Sequence, residues 1–524
     1  MSRKESLIRG ALALALAGLI IKVSNLVVRL PLTRLIGSEG LGIYQMALPA
    51  FHALYHIAAG GVPVAVQNLV AESVTKGRAA VADRVLRLAL LYALVAGGTA
   101  TCALLVGAPI LARLLGDPRS RWPLVAVAPA VLLFALDSIF RNYLQGRKLI
   151  TPSATASVLE QGSKVLVTVG AAYLLMPLGK EYAAAGAALG ITAGAIVSLA
   201  YMLWTVSRVR GGELPATPDH TPGLGRRMLR LAWPVTVGSV GLPLLQVFDV
   251  GIIQRGFLKA GYQLAEATSL YGAYSGIAVQ IVWFPFVLSN ALANALVPTL
   301  TAAQARGEMD LVRERVLVGL RTATLICLPV AIGVMLLATP IVRLFGEPQA
   351  AEPLRYMGPV ALLGPLTWMM IAQLQALGAT AEPMRNLGIA TLAKICLDAV
   401  LAPIRGIDVR GVAIASVVMF LICAWLNGRT LARLIDSPLP WGRLLGGPLI
   451  ASGVMGAGVV GLALAGWGAD GGWERLLTAL AVAPVLYVGA LIATRTLTRT
   501  ELLALSGPLA PRLERWLTLV WPWS

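Results

Sequence analysis

A chain of 524 residues is long enough for two to four soluble domains, but its composition excludes that reading. Hydrophobic residues make up 57% and charged residues 13%, with a mean hydropathy of +0.77, whereas soluble domains carry roughly 25% charge. The net charge of +18 lies in short turns between apolar runs, with no basic arm or aromatic-interleaved patch, so it argues against nucleic acid and for the fixing of membrane orientation.

A bilayer core about 30 Å thick needs about 20 mostly apolar residues per helical span, and helices satisfy the backbone polar groups that lipid cannot. The apolar windows predict fourteen transmembrane helices, near 8–34, 42–70, 85–112, 122–145, 153–177, 183–206, 228–254, 269–299, 316–343, 354–377, 385–404, 411–433, 444–466 and 474–494. The first run follows Arg3, Lys4 and Arg9 like a signal peptide, but its apolar character resumes beyond Lys22, so an uncleaved first span is expected. With a cytoplasmic N-terminus, 27 of the 43 Lys and Arg residues fall in cytoplasmic segments and 12 in outer ones, while Lys22, Arg29, Lys164 and Lys394 lie within spans. That bias puts both termini of a multi-pass protein on the cytoplasmic side of the cell membrane. Cys102, Cys327, Cys396 and Cys423 each stand alone in an apolar run, without metal-ligand spacing. The tail with Arg512, Arg515, Trp516, Trp521 and Trp523 reads either as an interfacial segment or as a frayed polar end.

The two halves resemble each other at an offset of about 230 residues. RLLGDP from Arg113 recurs as RLFGEP from Arg343, Gly77 matches Gly307, and YLQG before Pro152 matches QLQALG before Pro383. Six spans per repeat keep the copies parallel, an arrangement in which substrate sits between the halves. The expected organisation is a first lobe over 1–210, a cytoplasmic linker over 211–227, a second lobe over 228–435, two further spans over 436–496 and a cytoplasmic or interfacial tail over 497–524.

Charges inside a bilayer need partners or a wet cavity. Asp137 with Arg141, Glu160 with Lys164, and Lys394 with Asp398 are each four apart on one helical face, and local pairing is expected for all three. The first span differs, because Lys22, Asn25 and Arg29 form one polar stripe with no acidic residue beside it. The stripe is expected to face a hydrated cavity and to hold a multiply anionic group such as a pyrophosphate, Arg as a planar fork and Lys as a point charge. For Arg29, snorkelling to the outer headgroups is the alternative. His52 and His56 are four apart, yet the HExxH pattern is missing, so no metal is expected and His56 reads as a cavity residue. Asp249 has no cation nearby in its own span; it reads either as a partner of the first span or as an ion- or proton-coupling residue.

The segments GALALALAGLIIKVSNLVVRLPLTRLIGSEGLGIYQMALP, GGVPVAVQNLVAE, RNYLQGRKLITPSATASVLEQ and LYGAYSGIAVQIVWFPFVLSNALANALVPTL resemble the stage V sporulation protein B group. That group belongs to the multidrug, oligosaccharidyl-lipid and polysaccharide exporter superfamily, which includes lipid II flippases. The resemblance runs from about residue 6 to residue 435. It implies two six-helix lobes around a central cavity, two extra C-terminal helices, and basic cavity residues that hold a substrate pyrophosphate. By position Lys22 matches the first of these and Arg29 lies at or beside the second. His56 and Gln280 fall where the family pattern has arginines, which makes this cavity less cationic than the pattern.

The expected function is therefore a flippase for an undecaprenyl-pyrophosphate-linked saccharide, a cell-wall or polysaccharide precursor, with that lipid and the surrounding membrane lipids as its partners and no cofactor. The alternative is a cation-coupled multidrug antiporter of the same superfamily, in which acidic and aromatic cavity residues and twelve spans are expected. A membrane enzyme is disfavoured because P-loop, GxSxG, HExxH and paired-carboxylate loop motifs are all missing and every predicted outer loop is short. No catalytic residue is expected. A non-transporting scaffold gives no reason for bare cations in the first span.

Overall fold

The structure is a computed structural model that describes residues 3–211, 223–464, 473–494 and 496. The side chains of residues 3–23, 25 and 26, and of a few positions elsewhere, lie outside that description. So do the expected linker from 212 to 222 and the tail from 497 onward.

All regular structure among the described residues is helical. The chain opens with α1 (Arg3–Ala59), α2 (Val62–Thr75), α3 (Ala79–Leu115), α4 (Arg121–Gly146), α5 (Thr151–Leu175) and α6 (Lys180–Gly211). It continues with α7 (Leu224–Lys259), α8 (Leu264–Tyr271), a π-helical stretch over Gly272–Ala278, α9 (Val279–Val282) and α10 (Phe286–Ala305). Then come α11 (Met309–Leu336), α12 (Ala338–Phe345), α13 (Ala351–Met357), α14 (Val360–Ala376), α15 (Ala381–Leu401), α16 (Asp408–Leu434), α17 (Trp441–Leu464) and α18 (Trp473–Ala493).

Within the described residues the fourteen expected spans fall largely on helix, but the helices do not match them one for one. Among the described residues, nine helices are long and apolar enough to cross a membrane singly, or ten if the pair Pro348–Met357 and Val360–Ala376, bent by 47°, forms one span. Three physical causes separate this count from fourteen. Val27–Thr75 is a single run of 49 residues, about 74 Å of helix at 1.5 Å per residue and so enough for two crossings, bent at Gly37 (φ 67°, ψ 179°) and turned at Gly60. The eighth expected span is split by the π-helical stretch and by the turn at Trp283–Pro285. In α5 and α15 the ionic residues Glu160, Lys164, Lys394 and Asp398 dilute the apolar run.

The internal repeat shows in the element boundaries around the RLLGDP and RLFGEP corners. Shifted by 230 residues, α3 (Ala79–Leu115) lands on α11 and α12 (Met309 to Phe345), and α4 (Arg121–Gly146) lands on α13 and α14 (Ala351 to Ala376). The 3-10 turn Pro118–Ser120 lands on Pro348–Ala350. Gly116 (φ 94°) and Gly346 (φ 76°) are both left-handed at that corner, where a side chain would be strained. The copies differ in continuity: α4 passes unbroken through Pro129, whereas its counterpart breaks at Gly358–Pro359.

By packing, the chain forms two compact units. The first comprises Met1–Val287, Phe345–Leu354 and Met384–Met419; the second comprises Leu288–Leu344, Arg355–Pro383 and Phe420–Ser524. In the first unit α5 lies along α6, α4 lies on α3 and α6, and α1 packs on α4, α5, α7 and α8. In the second, Leu320, Met369, Leu374 and Leu431 centre one apolar cluster. Leu325, Met455 and Leu491 centre another, closed by a hydrogen bond from the Tyr487 hydroxyl to the Leu325 carbonyl at 2.8 Å.

Candidate functional site

The first unit contains a cavity of about 330 Å³. Its position follows from close packing between α5 and α6. Gly186, Gly190 and Gly194 form a stripe at every fourth residue of α6, and a Cβ at these positions would meet the α5 backbone at Ala171, Lys164 and Glu160 respectively. Small residues let membrane helices approach this closely, and Thr168 Oγ1 donates to the Ala187 carbonyl at 3.2 Å across the contact. The rotation of α5 is thereby fixed. It carries Gln161, Lys164, Val165 and Thr168, the last at the edge of the α6 contact, into the cavity wall.

The facing wall comes from α1, with Arg29 and Leu32 before the bend at Gly37 and Tyr44, Phe51 and His52 after it. Phe134 of α4, Ile191 of α6, Gln280 of α9 and the carboxylate-bearing Glu160 of α5 also line it. Arg29 is half-buried; its guanidinium donates to the Gly276 carbonyl at 3.2 Å and lies 6.0 Å from the Tyr44 ring centroid. Beside the cavity, Arg141 of α4 anchors a polar knot. It contacts Asp137 at 2.5 Å, Glu160 at 2.7 Å, Ser198 at 2.6 Å, Ser157 at 2.5 Å and the Ser153 carbonyl at 3.1 Å.

This knot corrects one sequence expectation. Glu160 gives its carboxylate to Arg141, not to Lys164. Among the described residues neither Lys164 nor Arg29 forms an ion pair, although Lys164 lies within electrostatic range of both Glu160 and Arg29. Arg141 is offset by two carboxylates, so the cavity region holds three cations against two anions when its histidine is neutral. The surplus is positive, which suits a polyanionic ligand.

The other expected site residues separate. Arg29 and Gln280 line the cavity. His56 is not among the lining residues; it packs against Tyr55 with ring centroids 5.3 Å apart, and His52, one turn earlier, takes the wall position. The Lys22 and Asn25 side chains lie outside the described residues. Asp249 does not reach α1: it accepts from Lys394 at 2.5 Å, beside Asp398 at 2.6 Å from the same ammonium. The expected Asp137–Arg141 and Lys394–Asp398 pairs are both present. Lys164 went unrecognised as a cavity residue, though its signal was the same kind as that of Arg29: a polar stripe of Gln161, Lys164 and Thr168 on one helical face.

Comparison with known proteins agrees with this architecture. The family model described as polysaccharide biosynthesis protein matches residues 7–304, and the MatE model matches residues 272–400. Stage V sporulation protein B of Bacillus subtilis (strain 168) is 29% identical over 443 residues, covering 82% of this chain and 85% of that protein. Lipid II flippase MurJ of the same organism is 23% identical over 433 residues, covering 77% of this chain and 79% of that protein. A solved structure titled lipid II flippase MurJ, inward closed conformation, superposes with a TM-score of 0.69 at 15% identity, covering 92% of this chain and 98% of that one. The fold is thus that of a multi-pass helical transporter.

Proposed function

The chain belongs to the polysaccharide biosynthesis protein family, and on that premise we propose that it is a flippase that carries an undecaprenyl-pyrophosphate-linked saccharide from the inner to the outer leaflet by alternating access. The observation that carries this reading is the pair of cations, Arg29 and Lys164, that line the cavity without an ion pair among the described residues, while Glu160, the carboxylate in the same wall, is engaged by Arg141. Unpaired intramembrane cations are costly, at least ~2.5–3.5 kcal/mol each on insertion scales, so their retention implies an anionic ligand. A cavity of about 330 Å³ holds a diphosphate and little more; the polyprenyl chain remains in the bilayer, which is its own solvent. In this reading Lys22 and Asn25 extend the Arg29 stripe toward the cytoplasm, Gln280 and His52 contact uncharged headgroup oxygens, and both chain termini are cytoplasmic.

The MatE match over 272–400 favours a second reading, a cation-coupled multidrug antiporter. The sign of the surplus charge at the cavity opposes it, because cationic drugs select acidic walls.

The test is transport in proteoliposomes with a fluorescent undecaprenyl-pyrophosphoryl saccharide. Charge-assisted hydrogen bonds are worth about 1.5–3 kcal/mol each, so Arg29→Ala with Lys164→Ala should slow flipping by at least about a hundredfold. Equal flipping by wild type and the double variant would remove both residues from the mechanism.

A further inference from the structure

The π-helical stretch over Gly272–Ala278 is clasped by both arms of α1, on either side of the bend at Gly37. The approach is close: a Cβ on Gly276 would lie 3.2 Å from the Leu41 Cβ. Arg29, from the arm before the bend, donates to the Gly276 carbonyl at 3.2 Å. Gln45, from the arm after it, donates through Nε2 to the neighbouring Ser275 carbonyl at 2.9 Å. Gln45 is 6% exposed, and its Oε1 is buried with no hydrogen-bond partner among the described residues. An orphaned buried oxygen is costly, so the N–H group is the part of this carboxamide that the fold uses.

Backbone hydrogen bonding explains why side-chain donors are needed there. The Val279 N–H bonds the Tyr274 carbonyl, five residues back, whereas the Trp283 N–H bonds the Val279 carbonyl at 3.0 Å, four residues back. Between them, three N–H groups (280–282) face four carbonyls (275–278). The change of register therefore leaves at least one carbonyl to be satisfied from outside the helix. In a continuous α-helix the Val279 and Gln280 N–H groups would bond the Ser275 and Gly276 carbonyls. Those are the two oxygens that Gln45 and Arg29 hold, so each side-chain donor competes with the α register.

We propose that Gln45 is a positioning residue of the cavity: its N–H donor holds the stretch in the π register, and that register places both Arg29 and Gln280. Both of these line the cavity, whereas Gln45 is not among the lining residues and acts through the backbone. Gln280 lies on α9, directly after the stretch, and α9 ends at Val282 before the turn over 283–285. A return to the α register turns α9 by about 100°, the rotation of one helical residue. The turn absorbs that rotation, so Gln280 leaves the cavity wall. The same change gives the Gly276 carbonyl a backbone donor and releases the Arg29 guanidinium from its anchor. Stretches of π-helix within α-helices occur frequently at functional sites, and here the stretch sets which donors the cavity offers.

The inference rests on the flippase reading for its transport measurement, while a labelling measurement is independent of any substrate. Gln45→Met keeps the length of the side chain and removes the donor; Gln45→Leu removes it in a shorter one. Full-length protein with its four cysteines replaced by alanine and carrying Gln280→Cys is placed in lipid nanodiscs. It is labelled with a negatively charged methanethiosulfonate, which the cavity cations attract. Either Gln45 substitution should lower the labelling rate constant about tenfold, the population change that one lost buried hydrogen bond produces. In proteoliposomes with the fluorescent undecaprenyl-pyrophosphoryl saccharide, Gln45→Met should raise KM about tenfold and leave the maximal rate within about twofold. In an Arg29→Ala background the same substitution should leave KM within about twofold. The rate constant and KM read only folded molecules, so a variant that merely folds poorly lowers the maximal rate alone. An unchanged labelling rate in both Gln45 variants, or an equal rise in KM with and without Arg29, overturns the proposal. If wild type flips no lipid-linked saccharide while labelling still depends on Gln45, the substrate reading fails and the positioning role remains. If wild type flips and labelling does not respond to Gln45, the positioning role is refuted and the flippase reading stands.

Discussion

Asp117 and Glu347 occupy the same position in the two copies of the repeat, and each carboxylate binds the other copy at the matching place. Asp117 Oδ2 accepts from Thr268 Oγ1 at 2.7 Å, and Glu347 Oε1 accepts from the backbone N–H of Ser38 at 2.8 Å. Ser38 and Thr268 are themselves 230 residues apart, as are Gln45 and Ser275, which bond directly between them. The close contacts follow the same symmetry: a Cβ on Gly42 would run into the Thr268 carbonyl, and one on Gly272 into the Ser38 carbonyl. The duplicated corner is therefore a reciprocal latch within the first unit, reinforced on one side by Arg119 bridging Asp117 and Glu39.

Weakening the latch should open this end of the bundle. Asp117 is fully buried and accepts hydrogen bonds from Thr268 and Arg119, and Asp117→Asn keeps its shape but removes the charge. A loss of about 1.4 kcal/mol raises the open population about tenfold. A cysteine introduced at Leu41, fully buried here, should then react with a maleimide about ten times faster. Labelling at the wild-type rate would show that the latch does not hold this end shut.

The crossing of α1 and the π-helical stretch should tolerate no side chain at Gly272. Gly272→Ala is expected to cost about 1–3 kcal/mol through overpacking against the Ser38 carbonyl. Gly238→Ala, where a Cβ meets nothing within 4 Å, should be neutral or stabilising by up to about 1 kcal/mol from helix propensity. Melting temperatures of the two variants compare them directly, and equal shifts would mean the approach is not tight.

A size exchange tests how α5 is held against α6. Gly190→Ala places its methyl against Thr168 Oγ1 and the Lys164 carbonyl, so it should lower both stability and headgroup affinity by displacing the Lys164 face. Adding Thr168→Ala removes the obstructing hydroxyl and should recover part of the loss, an interaction energy of roughly 0.5–3 kcal/mol in a double-mutant cycle. Strictly additive effects would place the cause elsewhere.

Arg141 should be the least replaceable residue beside the cavity. Arg141→Leu leaves Asp137, 2% exposed, and Glu160 without their cation, and breaking a buried pair in this way costs about 3–5 kcal/mol. Arg141→Lys restores the charge but not the planar fork that reaches Asp137, Glu160, Ser157 and Ser198 at once, so an intermediate loss is expected. Thermal unfolding in detergent measures both, and a lysine variant as stable as wild type would show that charge alone suffices.

Most of the architecture could be read along the chain, because hydropathy, turn residues and repeated strings are local properties. The RLLGDP and RLFGEP copies foretold two matching corners, and Arg29 was picked out by the lack of any acid in its own expected span. The span count was less legible. Bends at Gly37 and through the π-helical stretch join or divide helices in ways that depend on which neighbours they cross, and Gly42 and Gly272 reveal their role only against the carbonyls they touch.

The sequence by itself determined that this is a duplicated, all-helical membrane protein of a transporter family with cations inside its spans. The tertiary structure decided which of those cations are left free. Spacing of four offered Glu160 to Lys164, but the guanidinium of Arg141, nineteen residues away in sequence, lies closer across the α4–α5 contact and takes it. In a low-dielectric interior an ion pair forms with whichever partner the packing brings within about 3 Å, and distances between helices are not written in the spacing along one.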